Sequence, residues 1–508
     1  MGPNLDEPIG PGQVAYGTRA GRWVLVVSIL SSAVAALDAT VVNVALPAIG
    51  RDLHSEFSGL QWTVNGYTLA LGSLLLLGGA LGDRYGRRRL LVIGLAVFTA
   101  ASLLCAVAPS TGLLIAARLL QGAGGAMLTP ESLAILTASF RPQDRGRAIG
   151  AWAGTQGLAG AVGPLLGGWL VAAVSWRLIF VLNLPVAAFT AWAALRHVPE
   201  TFDRDASGPP DIAGSVLGVA GLGGVVYALT EASHPGDRTG VVITGVAGAL
   251  ALAAFVIVER RARAPMLPPS LFRDLQFTGA NLATFAVYGG LGTAIFLTVL
   301  QLQVAAHWSP IAAGAALTPL TLLTLLLSAR VGALAQRIGP RLPMTVGPLV
   351  LGLGLILLAG IGGHADYLRD VLPGVVVVGL GISITVAPLT AAVLGAVEER
   401  HAGVASAVNN AVARVAALIA VATLPLVSGM ASTRLGSPAY VTAYHGAMII
   451  AGLVCAAGGV VALLTVRRGA EVVPAPPPSV LHACQHPAGC LVPAVARVAA
   501  GSDPVGRP

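Results

Sequence analysis

The sequence runs to 508 residues, 55% hydrophobic and only 10% charged, with a mean hydropathy of +0.81. A soluble chain carries about a quarter charged residues, so the composition excludes an ordinary globular protein and indicates an integral membrane one. The 30 basic residues exceed the 22 acidic ones, giving a net charge of +8, and all 30 are arginine. Without a lysine there is no Gly-rich phosphate loop ending in Lys-Ser/Thr, so ATP hydrolysis by that route is excluded, as is Schiff-base catalysis.

Met1 to Gly21 is polar and rich in Pro and Gly. It does not read as a cleavable signal peptide, because the apolar run after it is too long and lacks a clear cleavage site. Fourteen apolar segments follow, near residues 22–50, 62–82, 89–108, 112–139, 146–172, 177–196, 211–230, 239–258, 277–303, 310–335, 343–361, 370–394, 402–430 and 439–466. Most can cross a hydrocarbon core of about 30 Å. An all-α polytopic bundle is expected; a barrel would show short alternating segments instead. The 64 glycines suit close helix contacts in lipid. An even number of crossings puts both termini on one side. Roughly 22 arginines fall on that side and about five on the other, as the positive-inside rule expects of cytoplasmic termini. Topology thus accounts for the positive excess, and no nucleic-acid partner is expected.

The turn between the second and third segments, GALGDRYGRRR (Gly79–Arg89), recurs in degraded form as GALAQRIGPR (Gly332–Arg341). In register, Arg84, Gly86 and Arg88 meet Arg337, Gly339 and Arg341. Two copies of one charged turn mark two related halves. Eight helices separate the turns, where tandem six-helix halves would place six, so two helices are inserted between the halves. The expected division is an N-terminal tail (1–21), a six-helix bundle (22–196), a connector with inserted helices 7 and 8 (197–276), a second six-helix bundle (277–466) and a disordered cytoplasmic tail (467–508). That tail is rich in Pro and Ala. Its Cys484 and Cys490, beside His482 and His486, fit no zinc spacing, so no metal is expected. Cys105 and Cys455 lie in apolar helices and read as packing residues.

Ionisable groups deep in lipid are costly, at about 2.5–3.5 kcal/mol on insertion scales, and suggest function. Two carboxylates qualify, Asp38 in helix 1 and Glu131 in helix 4. Their candidate partners are Arg118 and Arg414, with Arg330 nearer a helix end. Rise per residue puts Asp38 and Arg118 at similar depth on antiparallel helices, so they can pair. Glu131 lies 13 residues beyond Arg118, about 140° around the same helix, and cannot share that partner. Burial disfavours a charged carboxylate, and Glu131 has no sequence-local cation to offset it. Polar side chains within the spans, Asn43, Gln121, Gln156 and Asn410, are candidates for lining a cavity; Asn409 and Arg414 share helix 13 with Asn410. Helix 5 carries glycines at 154, 157, 160, 163, 167 and 168 around Pro164. This makes a smooth face for close packing or sliding between halves. No catalytic triad, His/Asp/Glu cluster or appended catalytic domain appears, so the chain does not read as an enzyme.

Several of these stretches, in order, resemble the major facilitator superfamily, specifically its fourteen-helix drug:proton antiporters. They are LDATVVNVALPAI, QWTVNGYTLA, GALGDRYGRRR, RLLQGAGGAML, GAVGPLLGG and WRLIFVLNLPVA. The resemblance spans residues 22–466. It implies two six-helix bundles, a central cavity and alternating access. It also implies proton and substrate coupling at Asp38 and Arg118, joined by the candidates Glu131 and Arg414. Asp83, Arg84, Gly86, Arg87 and Arg88 match the loop motif, which implies a conformational latch, with Asp83 close to basic groups of a neighbour. Gly160, Gly163, Pro164, Gly167 and Gly168 match the helix 5 antiporter motif. Gln336 stands where the first turn has Asp83, so any latch in the second half is weaker.

The expectation is a multi-pass exporter of a hydrophobic or amphipathic small molecule in the cytoplasmic membrane. Its partners would be cargo, protons and lipid; it would be driven by the proton gradient, without a cofactor. Proton-coupled uptake of a nutrient or siderophore is the alternative, disfavoured by the helix 5 motif. Each charge crossing is worth about 2.3 kcal/mol per 100 mV, enough for roughly a 50-fold gradient.

Overall fold

A chain this apolar can satisfy its backbone inside lipid only by hydrogen-bonding along each segment, which favours helices. The computed structural model describes residues 14–203, 210–233, 238–262, 265–398 and 401–467, all within the unit Met1–Gly469. Among the described residues, fourteen helices are long and apolar enough to cross a membrane. They are α1 (Arg19–Asp52), α2 (Phe57–Tyr85), α3 (Arg87–Ala106), α4 (Thr111–Ser139), α5 (Pro142–Ala173), α6 (Leu178–His197) and α7 (Ile212–Glu231). Next come α8 (Arg238–Arg261), α9 (Leu275–Val304), α10 (Pro310–Ile338), α11 (Arg341–Leu358), α12 (Tyr367–Leu394), α13 (Ala402–Val427) and α14 (Pro438–Thr465). Each apolar segment of the sequence has its helix. The largest shift in an end is at α2, expected from 62 and found from Phe57. The tail with Cys484 and Cys490 lies outside the described residues.

Short polar side chains set many helix starts. Thr18, Ser110, Asp211, Asp274 and Ser437 each accept a hydrogen bond from a backbone N–H of the first turn, satisfying donors with no partner inside the helix. The two copies of the charged turn end their helices alike. Gly86 follows α2 with φ of 110° and Gly339 follows α10 with φ of 81°. Glycine enters that region without the clash a Cβ brings.

The cores show how the halves meet. One buried cluster joins Val41–Ile49 of α1, Phe57 and Leu60 of α2 and Phe180 of α6 to Phe296–Leu302 of α9, Ala313 of α10 and Tyr444 of α14. All of these lie toward the end of the bundle away from the termini, here called the far end. Toward the terminal end the cores are separate. One holds Val24, Leu75, Leu95, Ile135 and Val198 of the first half; the other holds Phe277, Met344, Leu389, Ala405 and Val466 of the second. The halves therefore share one core at the far end and have separate cores toward the termini. Hydrogen bonds across the far seam run from Gln303 Nε2 to the Val44 carbonyl (3.0 Å) and from Gln61 Nε2 to the Val421 carbonyl (2.7 Å).

The inserted pair α7–α8 stands outside this arrangement. On α7, Val226 joins a small cluster with Leu69 of α2 and with Leu418 and Ala422 of α13, so α7 covers the seam between α2 and α13. Trp62 Nε1 also donates to Glu231 Oε1 at the end of α7 (3.2 Å). The most apolar window of α8 is only 6% buried. It meets α7 through the close Gly224–Gly248 approach, which small residues allow in lipid.

Candidate functional site

Asp38 and Arg118 form an ion pair inside the first half, 3% and 1% exposed. The carboxylate is bonded on both oxygens. Arg118 Nη1 donates to Oδ2, while Gln121 Nε2 (2.8 Å) and Asn183 Nδ2 (2.9 Å) donate to Oδ1. Arg118 Nη1 also reaches Gln121 Oε1 (2.6 Å), and its Nε donates to the Thr63 carbonyl (3.1 Å). Ser102 Oγ accepts from Gln121 Nε2 at 2.8 Å. The guanidinium lies over the Tyr67 ring, 4.4 Å from its centroid, and the Tyr67 hydroxyl donates to the Ala35 carbonyl (3.2 Å). Five helices, α1, α2, α3, α4 and α6, thus meet on one buried charge pair. A buried pair is tolerable only when its remaining donors and acceptors are satisfied; here both Asp38 oxygens and the Arg118 Nε and Nη1 groups have partners.

This cluster corrects one expectation. Gln121, a cavity candidate from the sequence, is wholly buried and bonded to Asp38, Arg118 and Ser102. Three residues from Arg118, it shares that residue's face of α4, a signal the spacing already carried. Sequence reasoning also missed Asn183, Ser102 and Tyr67. Asn183, a lone amide in an apolar helix, was the available signal.

The other coupling candidates lie elsewhere. Glu131 is buried near the terminal end of α4, against the Gly82 backbone of α2, where a Cβ would overlap its carboxyl group. Both its oxygens lack a hydrogen-bond partner, and it is within electrostatic reach of Asp83, Arg87 and Glu200. Arg414 is exposed on α13 and makes no hydrogen bond or ion pair among the described residues. Of the cavity candidates, Asn43 is half-buried with Oδ1 unpartnered. Asn410 is exposed and bonded only to the Ser406 carbonyl one turn back (3.1 Å). Asn409 ties α13 to Asn281 and Thr284 of α9. The Gln156 side chain lies outside the described set.

At the α2–α3 turn, Asp83 accepts from Arg87 Nε and Nη2 (2.9 and 2.6 Å). Asp83 lies in the last turn of α2 and its basic partner, Arg87, opens the next helix, α3. Arg87 Nη1 also touches the Ala134 carbonyl of α4 (3.5 Å), and Arg84 lies over the Tyr85 ring. Glu200, which follows α6, was not among the residues singled out from the sequence. Its carboxylate accepts from the backbone N–H groups of Arg88 (2.9 Å) and Arg89 (3.2 Å) and pairs with the Arg88 side chain (3.5 Å). Gly86 leaves room, since a Cβ there would come within 2.8 Å of that carboxyl. An anion at a helix N-terminus satisfies orphan donors and meets the positive end of the dipole. Glu200→Ala should lower stability by about 1 kcal/mol and loosen α3 against α6. Thermal unfolding of the purified protein, with and without the substitution, measures it.

On α5 the glycines divide between two neighbours. Gly163 and Gly167 face Thr40 and Val41 of α1, whereas Gly157, Gly160 and Gly168 face Leu325, Thr321 and Ile311 of α10, with Pro164 against Gly314. One helix therefore lies close to its own half on one side and to the other half on the next.

Comparison with known proteins agrees with this architecture. A family model described as the Major Facilitator Superfamily matches residues 28–421. The chain is 37% identical over 411 residues to the puromycin resistance protein of Streptomyces alboniger, covering 80% of this chain and 81% of that one. It is 36% identical over 424 residues to the methylenomycin A resistance protein of Bacillus subtilis, covering 81% and 89%. It is 32% identical over 431 residues to the tetracenomycin C resistance and export protein of Streptomyces glaucescens, covering 82% and 78%. Among solved structures, the fold is similar to the POT family transporter PepTSo (TM-score 0.64, 14% identity, 87% and 97% covered). It is also similar to a bacterial homologue of the lysosomal transporter Spinster (TM-score 0.63, 15% identity, 88% and 97% covered). With its fourteen helices, its paired halves and these relatives, the chain belongs to the Major Facilitator Superfamily, in its drug-efflux group.

Proposed function

We propose that the chain exports a hydrophobic or amphipathic small molecule across the cytoplasmic membrane in exchange for protons, by alternating access. The carrying observation is the sealed Asp38–Arg118 pair. Neutralising Asp38 with a proton would leave Arg118 buried without a counter-charge, a state that costs several kcal/mol, so the surrounding helices must rearrange. The strain has a route to the far seam. Two turns beyond Asp38, the Val44 carbonyl of α1 accepts from Gln303 of the other half, and Thr40 and Val41 lie against the α5 glycines. A shift of α1 at the acid is thereby felt where the halves are fused. Glu131, near the α2–α3 turn, stands within electrostatic reach of Asp83 and Arg87.

Orientation follows from charge. Arg84, Arg87, Arg88, Arg89, Arg141, Arg145 and Arg147 cluster at the terminal end, which the positive-inside rule assigns to the cytoplasm. The side on which the cores are separate then faces the cytoplasm, where cargo would load. The cargo class is supported by the relatives' names, which refer to puromycin, methylenomycin A and tetracenomycin C resistance. The test uses inverted vesicles containing the full chain, with radiolabelled methylenomycin A outside and an acidified lumen. Accumulation that collapses on adding a protonophore is expected. Accumulation unaffected by the protonophore would remove the proton from the mechanism.

A further inference from the structure

We infer that the cargo site is cationic, with Arg414 as its charged recognition group. The cargo it selects carries an acidic group, a carboxylate or acidic phenol, on an apolar body. This rests on the exporter reading above and names its substrate class.

Few charges stand in the middle of the membrane. Among the described residues, only Asp38, Glu131, Arg118, Arg330 and Arg414 are carboxylates or arginines at least seven residues inside both ends of a spanning helix. Asp38 and Arg118 are paired with each other and sealed. Glu131 is buried against Gly82. Arg330 lies nine residues beyond Thr321, half a turn around α10 from the side that meets α5, and donates to the Leu326 carbonyl one turn back (3.0 Å). Neither acid is therefore available to a cation in the cavity.

Arg414 remains. It is exposed, and Asn410, one turn before it on the same face, is exposed as well. The stem of Arg414 passes α2 at Gly72, where a Cβ would come within 3.0 Å of its own Cβ. Its guanidinium is within electrostatic reach of Tyr67 and of Tyr288, which belong to opposite halves. It therefore stands at the seam, seven residues to the terminal side of Val421, where Gln61 bridges the halves. A lone cation between low-dielectric walls focuses positive potential into the space beside it. It repels cationic cargo. Its planar fork matches a carboxylate in two hydrogen bonds.

The test compares fluorescein with rhodamine 123, dyes on the same xanthene frame with opposite charge, binding to the purified full chain. We expect fluorescein to bind at least tenfold more tightly than rhodamine 123. Arg414→Gln should bring the two within threefold, and Arg414→Lys should keep the preference in reduced form. Because Arg414 is exposed and unpaired, neither substitution strands a buried charge, and a thermal unfolding curve checks that the variants are folded. Rhodamine 123 binding as tightly as fluorescein, or an acid preference unchanged in Arg414→Gln, overturns the inference. The readout is equilibrium binding, so failure of proton-driven transport in vesicles would count against the exporter reading and leave this result standing.

Discussion

Asp38→Asn is expected to abolish proton-driven export and, alone, to destabilise the protein by about 3–5 kcal/mol, the usual cost of stranding one member of a buried ion pair. The amide can still accept from Gln121 or Asn183, but it carries no charge to set against Arg118. The informative comparison is the double variant Asp38→Asn with Arg118→Met. Replacing both partners by groups of similar size removes the stranded charge, and such exchanges are often neutral in stability. The unfolding temperature should therefore return close to that of the wild type, while export stays absent because no titratable group remains at the centre of the cluster. Thermal unfolding and vesicle transport, run on the same preparations, separate the two effects. A double variant that regains both stability and export would reduce the pair to a structural tie between α1 and α4.

Gly168→Val should arrest the carrier in the opposite manner, with its folding intact. Gly168 of α5 lies against the backbone of α10, and even a Cβ there would come within 2.6 Å of the Ile311 Cα and 2.7 Å of the Pro310 carbonyl oxygen. Backbone cannot swing aside as a side chain can. Overpacking of this kind costs about 1–3 kcal/mol, and the cost falls on the state in which the far ends of the halves touch. Since 1.4 kcal/mol is a factor of ten, the substitution should shift the balance by roughly tenfold or more toward states open at the far end. A single cysteine placed at Thr40 or Thr321 in a background lacking all four native cysteines would then react faster with a membrane-impermeant thiol reagent applied from the far side. Export turnover should fall by a similar factor. Unchanged labelling would mean that the α5–α10 contact does not govern access.

The fold was legible because lipid imposes it: each crossing needs about 20 apolar residues, and little else in a chain can supply them. The repeated turn was legible because two glycines had to take positive φ at matched places, and Gly86 and Gly339 both do. The Asp38–Arg118 pair was readable from depth alone, because so few charges enter the membrane. What surrounds it was not. A buried amide such as Asn183 and a cavity-lining one look alike in sequence, since the difference is a rotation about the helix axis. Glu200 sits in a polar connector where a glutamate attracts no notice, and its role depends on the chain returning to the α3 N-terminus. The separation of Arg414 from Asp38 depends on how the two halves meet, a relation between distant segments that hydropathy does not encode.

The account joins cargo to the proton through one acid, and the most direct measurement counts protons. Purified full chain in weakly buffered detergent solution, mixed with saturating cargo in the presence of a pH indicator, should release about one proton per chain at a pH where Asp38 exchanges. The Asp38→Asn protein should release none while still binding. Equal release from both proteins, or tight binding to the wild type with no release at any pH, would contradict coupling at Asp38.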